Sequence, residues 1–216
     1  MRDYFQSIAA ELFKHIKKDE FLIINFDAEE SNFVRLNKAK IRQPGNVKQI
    51  SMSLSLSNRD KRNLKSYVRL NGSFDRDLTT LIKTLNYLRR ELPDLPKDPY
   101  LLFSKTVEST EITDEKKHIN DEENLDYILT NVSGLDLVGI YSSGYIYTGL
   151  ANSLGQFNWH SDYSFSFDYS IYNEIFDLTR QAKNVLNSNK YNSINETLND
   201  INLKLMFFYQ LIYLIS

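Results

Sequence analysis

Two stretches of the chain alternate apolar and polar residues with a period of two. Ile50, Met52, Leu54 and Leu56 alternate with Ser51, Ser53, Ser55 and Ser57. Further on, Tyr163, Phe165, Phe167, Tyr169 and Ile171 alternate with Ser164, Ser166, Asp168 and Ser170. Successive side chains of a strand point to opposite faces, so each stretch predicts a strand with one buried face and one solvated face. The period changes elsewhere. Tyr4, Phe5, Ile8, Ala9, Leu12, Phe13 and Ile16 mark one face of a helix within residues 2–18, and Phe74, Leu78, Leu81, Ile82, Leu85, Leu88 and Leu92 mark a second. Ser73 is a suitable N-cap for that second helix, and Asp75 and Asp77 place acid where the helix dipole favours it. A full capping box is absent, because Arg76 stands where Glu or Gln is needed.

Between the helices, Phe21–Phe26 and Asn32–Leu36 read as apolar-rich strands, and Gln43-Pro44-Gly45-Asn46 reads as a turn. A polar loop over 58–62 and a returning strand over 66–70 complete a helix followed by a four-stranded antiparallel sheet. Pro93, Pro96 and Pro99 end the second helix, and the charged stretch 106–122 reads as a link. A short helix over 121–130 leads into an antiparallel meander over 135–172, with turns at Ser142-Ser143-Gly144 and Asn152-Ser153-Leu154-Gly155. The expected fold class is α+β, in two modules, each an antiparallel sheet with helices packed on one face. The modules are placed at 1–105 and 106–173, followed by a divergent Asn-rich and apolar tail over 174–216. The last apolar run, Leu203 to Ile215, is shorter than the ~20 residues a membrane-crossing helix needs, so a packed or self-associating helix is expected there.

Composition narrows the function classes. A formal net charge of −2 over 216 residues supplies no global field toward nucleic acid or an acidic membrane surface. The chain has no cysteine, which excludes a disulfide framework and thiolate metal ligands and fits a reducing compartment. The N-terminal residues run straight into the first helical pattern without an export signal, so the expected location is the cytoplasm. The sequons at Asn71, Asn131 and Asn195 are read as chance on that basis.

No residue pattern defines a catalytic, cofactor-binding or metal site. The three histidines, His15, His118 and His160, are not spaced as ligands on one helix. His160, beside Trp159 and near Asp162, has the chemistry for proton transfer, but the plainer reading is a packed Trp159 with His160 as polar trim. The serines at 51, 53, 55 and 57 read as a solvated strand face rather than an acceptor ladder for a peptide. Glu29, Glu30 and Arg35 read as a solvated turn, and Arg59-Asp60-Lys61-Arg62 as a solvated loop without interleaved aromatics. Gly139, Gly144, Gly149 and Gly155 form neither a dinucleotide fingerprint nor a Walker motif.

Four blocks in order carry a family resemblance. They are Glu30-Ser31-Asn32-Phe33-Val34-Arg35-Leu36-Asn37, Lys40-Ile41-Arg42-Gln43-Pro44-Gly45-Asn46-Val47, Leu135-Asp136-Leu137-Val138-Gly139-Ile140-Tyr141 and Ala151-Asn152-Ser153-Leu154-Gly155-Gln156-Phe157-Asn158-Trp159-His160. Together they resemble the N-terminal region of TldD/PmbA proteins, a metallopeptidase-related family also described as modulators of DNA gyrase. The resemblance implies cytoplasmic homo- or heterodimers acting on extended peptides, with zinc held in active members by a His-Glu-x-x-x-His helix. This chain has no such motif. The resemblance therefore implies a truncated or split form lacking the zinc-binding C-terminal domain, inactive alone, with no cofactor of its own. Its expected role is a scaffold or partner subunit, and the alternative is an independent peptide- or protein-binding module unrelated to proteolysis.

Overall fold

The computed structural model describes residues 1–113 and 121–172, and the backbone of 182–187. The elements in chain order are α1 (Arg2–Lys14), β1 (Glu20–Asn37), β2 (Lys40–Asn58), β3 (Asn63–Leu70), α2 (Phe74–Glu91), β4 (Thr110–Thr113), α3 (Asp121–Asn131), β5 (Asp136–Asn152), β6 (Phe157–Tyr172) and β7 (Ala182–Asn187). Strands pair in the order β3-β2-β1-β5-β6-β4, with β7 also on β6. β4 runs parallel to β6, which makes an otherwise antiparallel arrangement mixed. The α+β class follows.

The chain divides into two compact units. One comprises Met1–Glu30, Lys48–Glu115 and Tyr145–Asp162, the other Ser31–Val47, Lys116–Gly144 and Tyr163–Ser216. The units are thus interleaved, whereas the sequence pattern suggested consecutive stretches. The reason is strand length: β1, β2, β5 and β6 have 18, 19, 17 and 16 residues, and each contributes to both units. Phe21–Phe26 and Asn32–Leu36 are parts of the single strand β1, so the first unit has no separate fourth strand of that kind.

In the first unit, α1 buries Phe5, Ile8, Ala9 and Leu12, and α2 buries Leu81, Leu85 and Leu88. These meet Leu22, Ile24 and Phe26 of β1 and Ile50, Met52, Leu54 and Leu56 of β2. Phe5 stacks on Phe26 with centroids 5.1 Å apart, and both rings are fully buried. Burying such a side chain contributes about 1.5–3 kcal/mol, so this seam is a principal source of stability. Gly149 of β5 lies beneath Phe5, where a Cβ would come within 2.5 Å of the ring. β4 is held at the side of β6 by Asn158, whose Nδ2 donates to Glu108 O at 3.0 Å and Thr110 Oγ1 at 2.8 Å.

In the second unit, Ile128 of α3 and Val132, just past its last residue, pack with Leu36, Leu137, Tyr141, Phe165, Phe167 and Tyr169. The alternation from Tyr163 to Tyr169 accordingly appears as strict burial of every second residue. Two expected turns are strand instead. Gln43-Pro44-Gly45-Asn46 lies inside β2, and Ser142-Ser143-Gly144 inside β5. Pro44 is tolerated because β3 pairs with β2 only over Ile50 to Ser57, leaving the 40–47 stretch an unpaired outer edge among the described residues. Gly45 serves a close approach, since the Phe33 ring fills the space its Cβ would need. The actual reversal is the two-residue turn Lys38-Ala39, with φ of 49° and 53°, the positive values a hairpin turn of this length demands. The apolar tail from Leu203 lies outside the described residues.

Candidate functional site

Most of the residues singled out by pattern have structural employment. Trp159 is buried in the first unit's core, within 5.8 Å of the Phe26 ring and 5.9 Å of Tyr147, while the adjacent His160 is exposed. That matches a packed tryptophan with polar trim beside it. Glu29 and Glu30 are consecutive in β1 and therefore project to opposite faces, not from a turn as expected. Glu30 pairs with Lys48 at 2.6 Å and accepts from the Tyr147 hydroxyl at 3.3 Å. The Lys48 hydrogen bond holds the Glu30 carboxyl below its usual range. Arg35 instead reaches Gln43 and sits over the Phe33 ring.

The serine face of β2 is not the solvated surface its alternation suggested. Ser53 and Ser57 are 3% and 2% exposed. Asn25 Nδ2 donates to Ser53 Oγ at 3.1 Å, and Asn63 Nδ2 donates to Ser55 Oγ and Ser57 Oγ at 2.8 Å each. Small hydroxyls on that face leave room for these amides, and the chain after α2 adds cover. Phe103 stacks on Phe21 at 3.9 Å, Arg62 Nε donates to Leu95 O at 2.7 Å, and Asp98 N donates to Lys61 O at 2.8 Å. The basic loop 59–62 is thereby tied into the fold rather than left free for phosphate.

Zinc does not fit the described residues. Among them no group of three or more His, Cys, Asp or Glu side chains is placed to hold a metal ion. His15 follows α1 and His160 lies on β6, while His118 falls outside the described residues.

A cavity of about 500 Å³ opens in the second unit, at the start of α3. Its lining includes Phe33 from β1, Asn46 from β2, Asp121 and Glu122 from α3, and Tyr141 and Ser143 from β5. The Tyr141 and Tyr163 hydroxyls both donate to Asp121 Oδ1, at 3.1 and 2.9 Å, so the carboxylate is fixed from two strands. Burial and the Asp121 charge push the Tyr141 hydroxyl well above the ordinary phenol range, which keeps it a donor. Ser143 is two residues along the same strand face and only 3% exposed. Its Oγ comes close enough to influence the Tyr141 hydroxyl, yet it has no hydrogen bond of acceptable geometry among the described residues. Leaving a buried hydroxyl unpaired costs about 1–3 kcal/mol, a penalty that a polar occupant of the cavity would remove. Sequence reading missed this constellation because Ser142-Ser143-Gly144 looked like a turn and Asp121 was read only as the first residue of a short helix.

The sequence matches no protein-family model and no curated protein at a significant level. Its fold, however, is shared with solved structures. TldE from Thermococcus kodakarensis aligns over 85% of this chain and 42% of its own, with a TM-score of 0.60 and 9% identity. A candidate modulator of a DNA gyrase from Thermotoga maritima aligns over 86% of this chain and 42% of its own, with a TM-score of 0.54 and 9% identity. A candidate modulator of DNA gyrase from Bacteroides thetaiotaomicron gives 86% and 44%, a TM-score of 0.56 and 16% identity. The chain therefore has the fold of TldD/PmbA-type proteins, in agreement with the resemblance of its sequence blocks. It spans less than half the length of these solved relatives in fold.

Proposed function

We propose that the chain is a non-catalytic scaffold or partner subunit of TldD/PmbA type, acting in the cytoplasm on extended peptides beside a second chain that carries the zinc-binding domain. The observation that supports this most is the edge strand β3. Its eight residues pair with β2 on one side only, and among the described residues nothing pairs with the other. An unpaired edge of that length can accept an extended segment by adding a strand, with main-chain hydrogen bonds supplying affinity and alternate side chains supplying selectivity. Tyr67 is 75% exposed there, with the Lys65 ammonium 4.8 Å from its ring centre, so the edge offers an aromatic and basic row. Among the described residues no helix is long and apolar enough to cross a membrane, which is compatible with this reading.

Amide hydrogen exchange tests it directly. Adding an unfolded peptide together with a zinc-bearing TldD/PmbA-type chain is expected to slow exchange across residues 63–70, and the copurified complex is expected to hold stoichiometric zinc while this chain alone holds none. Unchanged exchange at β3 would overturn the edge-pairing role. Protection by peptide alone, with no association to a zinc-bearing chain, would favour the alternative of an independent binding module.

A further inference from the structure

We infer that the cavity at the start of α3 is a binding site for an organic cation, a protonated amine or a guanidinium group. This goes beyond the edge-pairing role and does not depend on it. Three independent features converge. The first is charge: among the described residues the lining contributes two carboxylates, Asp121 and Glu122, and no Lys, Arg or His. The second is an unanswered polar group, since the buried Ser143 Oγ lines the cavity without a hydrogen-bond partner among the described residues. An N–H donor entering the cavity supplies what that oxygen lacks. The third is shape. The Phe33 ring forms one wall and is seated against Gly45, the position where a side chain would displace it. The chain's own Arg35 guanidinium already lies over that ring, 5.7 Å from its centroid, so recognition of a further cation falls to the carboxylates, by charge-assisted hydrogen bonding.

The arrangement is pre-set. Asp121 accepts hydrogen bonds from Tyr141 and Tyr163 through a single oxygen, Oδ1, so its plane is fixed before any ligand arrives. An amide or a proton there leaves an oxygen for the two tyrosine hydroxyls to donate to but removes the charge that selects a cation. Anionic ligands are disfavoured by the same two carboxylates.

The cation could be a free small amine or a basic side chain carried by a peptide, and the experiment separates the two. The full-length chain, labelled with nitrogen-15, is titrated with n-butylammonium, methylguanidinium, an acetylated and amidated Ala-Arg-Ala peptide, its Ala-Ala-Ala counterpart, and n-butanol as the neutral control. Saturable amide shifts at Phe33, Leu125 and Ser143 are expected with the cations and not with butanol or Ala-Ala-Ala. Shifts with the small cations place a free amine among the ligands, whereas saturation by the Arg peptide alone assigns the site to a side chain. Ser143→Ala and Glu122→Gln are each expected to weaken binding about fivefold or more while the amide spectrum keeps its folded dispersion. Glu91→Gln, a carboxylate in the other unit, is expected to leave binding unchanged. Equal shifts from butanol and butylammonium, or affinities untouched by both cavity variants, would overturn the proposal.

Discussion

The Tyr4 hydroxyl donates to Oδ2 of Asp77 across 2.6 Å, joining the first helix to the N-terminal turn of the second. Asp77 also accepts from the backbone N–H of Asn71 at 3.1 Å and Gly72 at 2.8 Å, and is only 3% exposed. It thus performs the reach-back that Arg76 cannot, one residue further into the helix. Tyr4→Phe should lower stability by about 1.5–3 kcal/mol, the range for a hydrogen bond to a charged acceptor with its remaining donors intact. Asp77→Ala, which strands three donors, should cost more, about 2–4 kcal/mol. Urea unfolding followed by fluorescence of the single tryptophan, Trp159, reports on this unit.

A second expected outcome concerns alkaline pH. Burial, with Glu30 beside it, pushes the Tyr147 hydroxyl up to about 12, and burial with nearby carboxylates raises Tyr4 and Tyr141 as well. A raised folded-state value means the neutral form is favoured by folding. The stabilisation is complete below the unfolded value of about 10 and is lost as pH rises beyond it. Absorbance titration at 295 nm should show a late-ionising class of tyrosines above the unfolded value of about 10, and unfolding should set in as they ionise. Ionisation of every tyrosine near pH 10 without loss of fold would contradict this.

Acid acts through Glu20. Burial works to raise its carboxyl, but hydrogen bonds from Arg89, at 2.7 and 2.8 Å, and from the Lys17 backbone hold it below the usual value. The group therefore adds stability above the ordinary carboxylate range, and that contribution disappears as pH falls through the depressed value. Glu20→Gln should flatten this part of the acid limb. Because both side chains are mostly buried, Arg89→Met should destabilise by about 2–3 kcal/mol at neutral pH, measured by chemical unfolding.

The amide of Asn63 is expected to matter more than a residue at the foot of an edge strand usually does. Asn63→Ala removes the donor shared by Ser55 and Ser57, and should cost about 1–2 kcal/mol. Asn63→Asp should cost at least as much, because it presents acceptors to hydroxyls that then have to turn. Thermal unfolding of the two variants settles the order.

Element type was legible wherever one face of a segment is apolar and the other is not. The stripes from Phe5 to Leu12 and from Leu81 to Leu88, and the alternation from Tyr163 to Tyr169, all reappear as buried faces. Turns were harder, because turn residues carry several meanings. Pro44 and Gly45 are explained by an unpaired strand edge and by the Phe33 ring, whereas Lys38 and Ala39 turn the chain without any turn-favouring residue. The serines of β2 were misjudged because period two identifies two faces but does not say what covers the second. That cover comes from Asn63 and from the Phe103 segment, which are remote along the chain or follow a helix. The cavity was illegible for the same reason: Asp121, Tyr141, Ser143 and Tyr163 acquire a joint meaning only when two strands and a helix bring them together.

The stacking of Phe5 against Trp159, at 6.3 Å, also sets an order of events during synthesis. The first helix leaves the ribosome with an apolar face whose sheet is finished only when β6 has been made. At about 5–20 residues per second that interval is on the order of ten seconds or more. Until then the Phe5 ring has Phe26 to pack on but lacks Phe157 and Trp159, so part of the first helix's apolar face stays uncovered on the nascent chain, a natural point of engagement for a chaperone that binds short apolar stretches near the N-terminus.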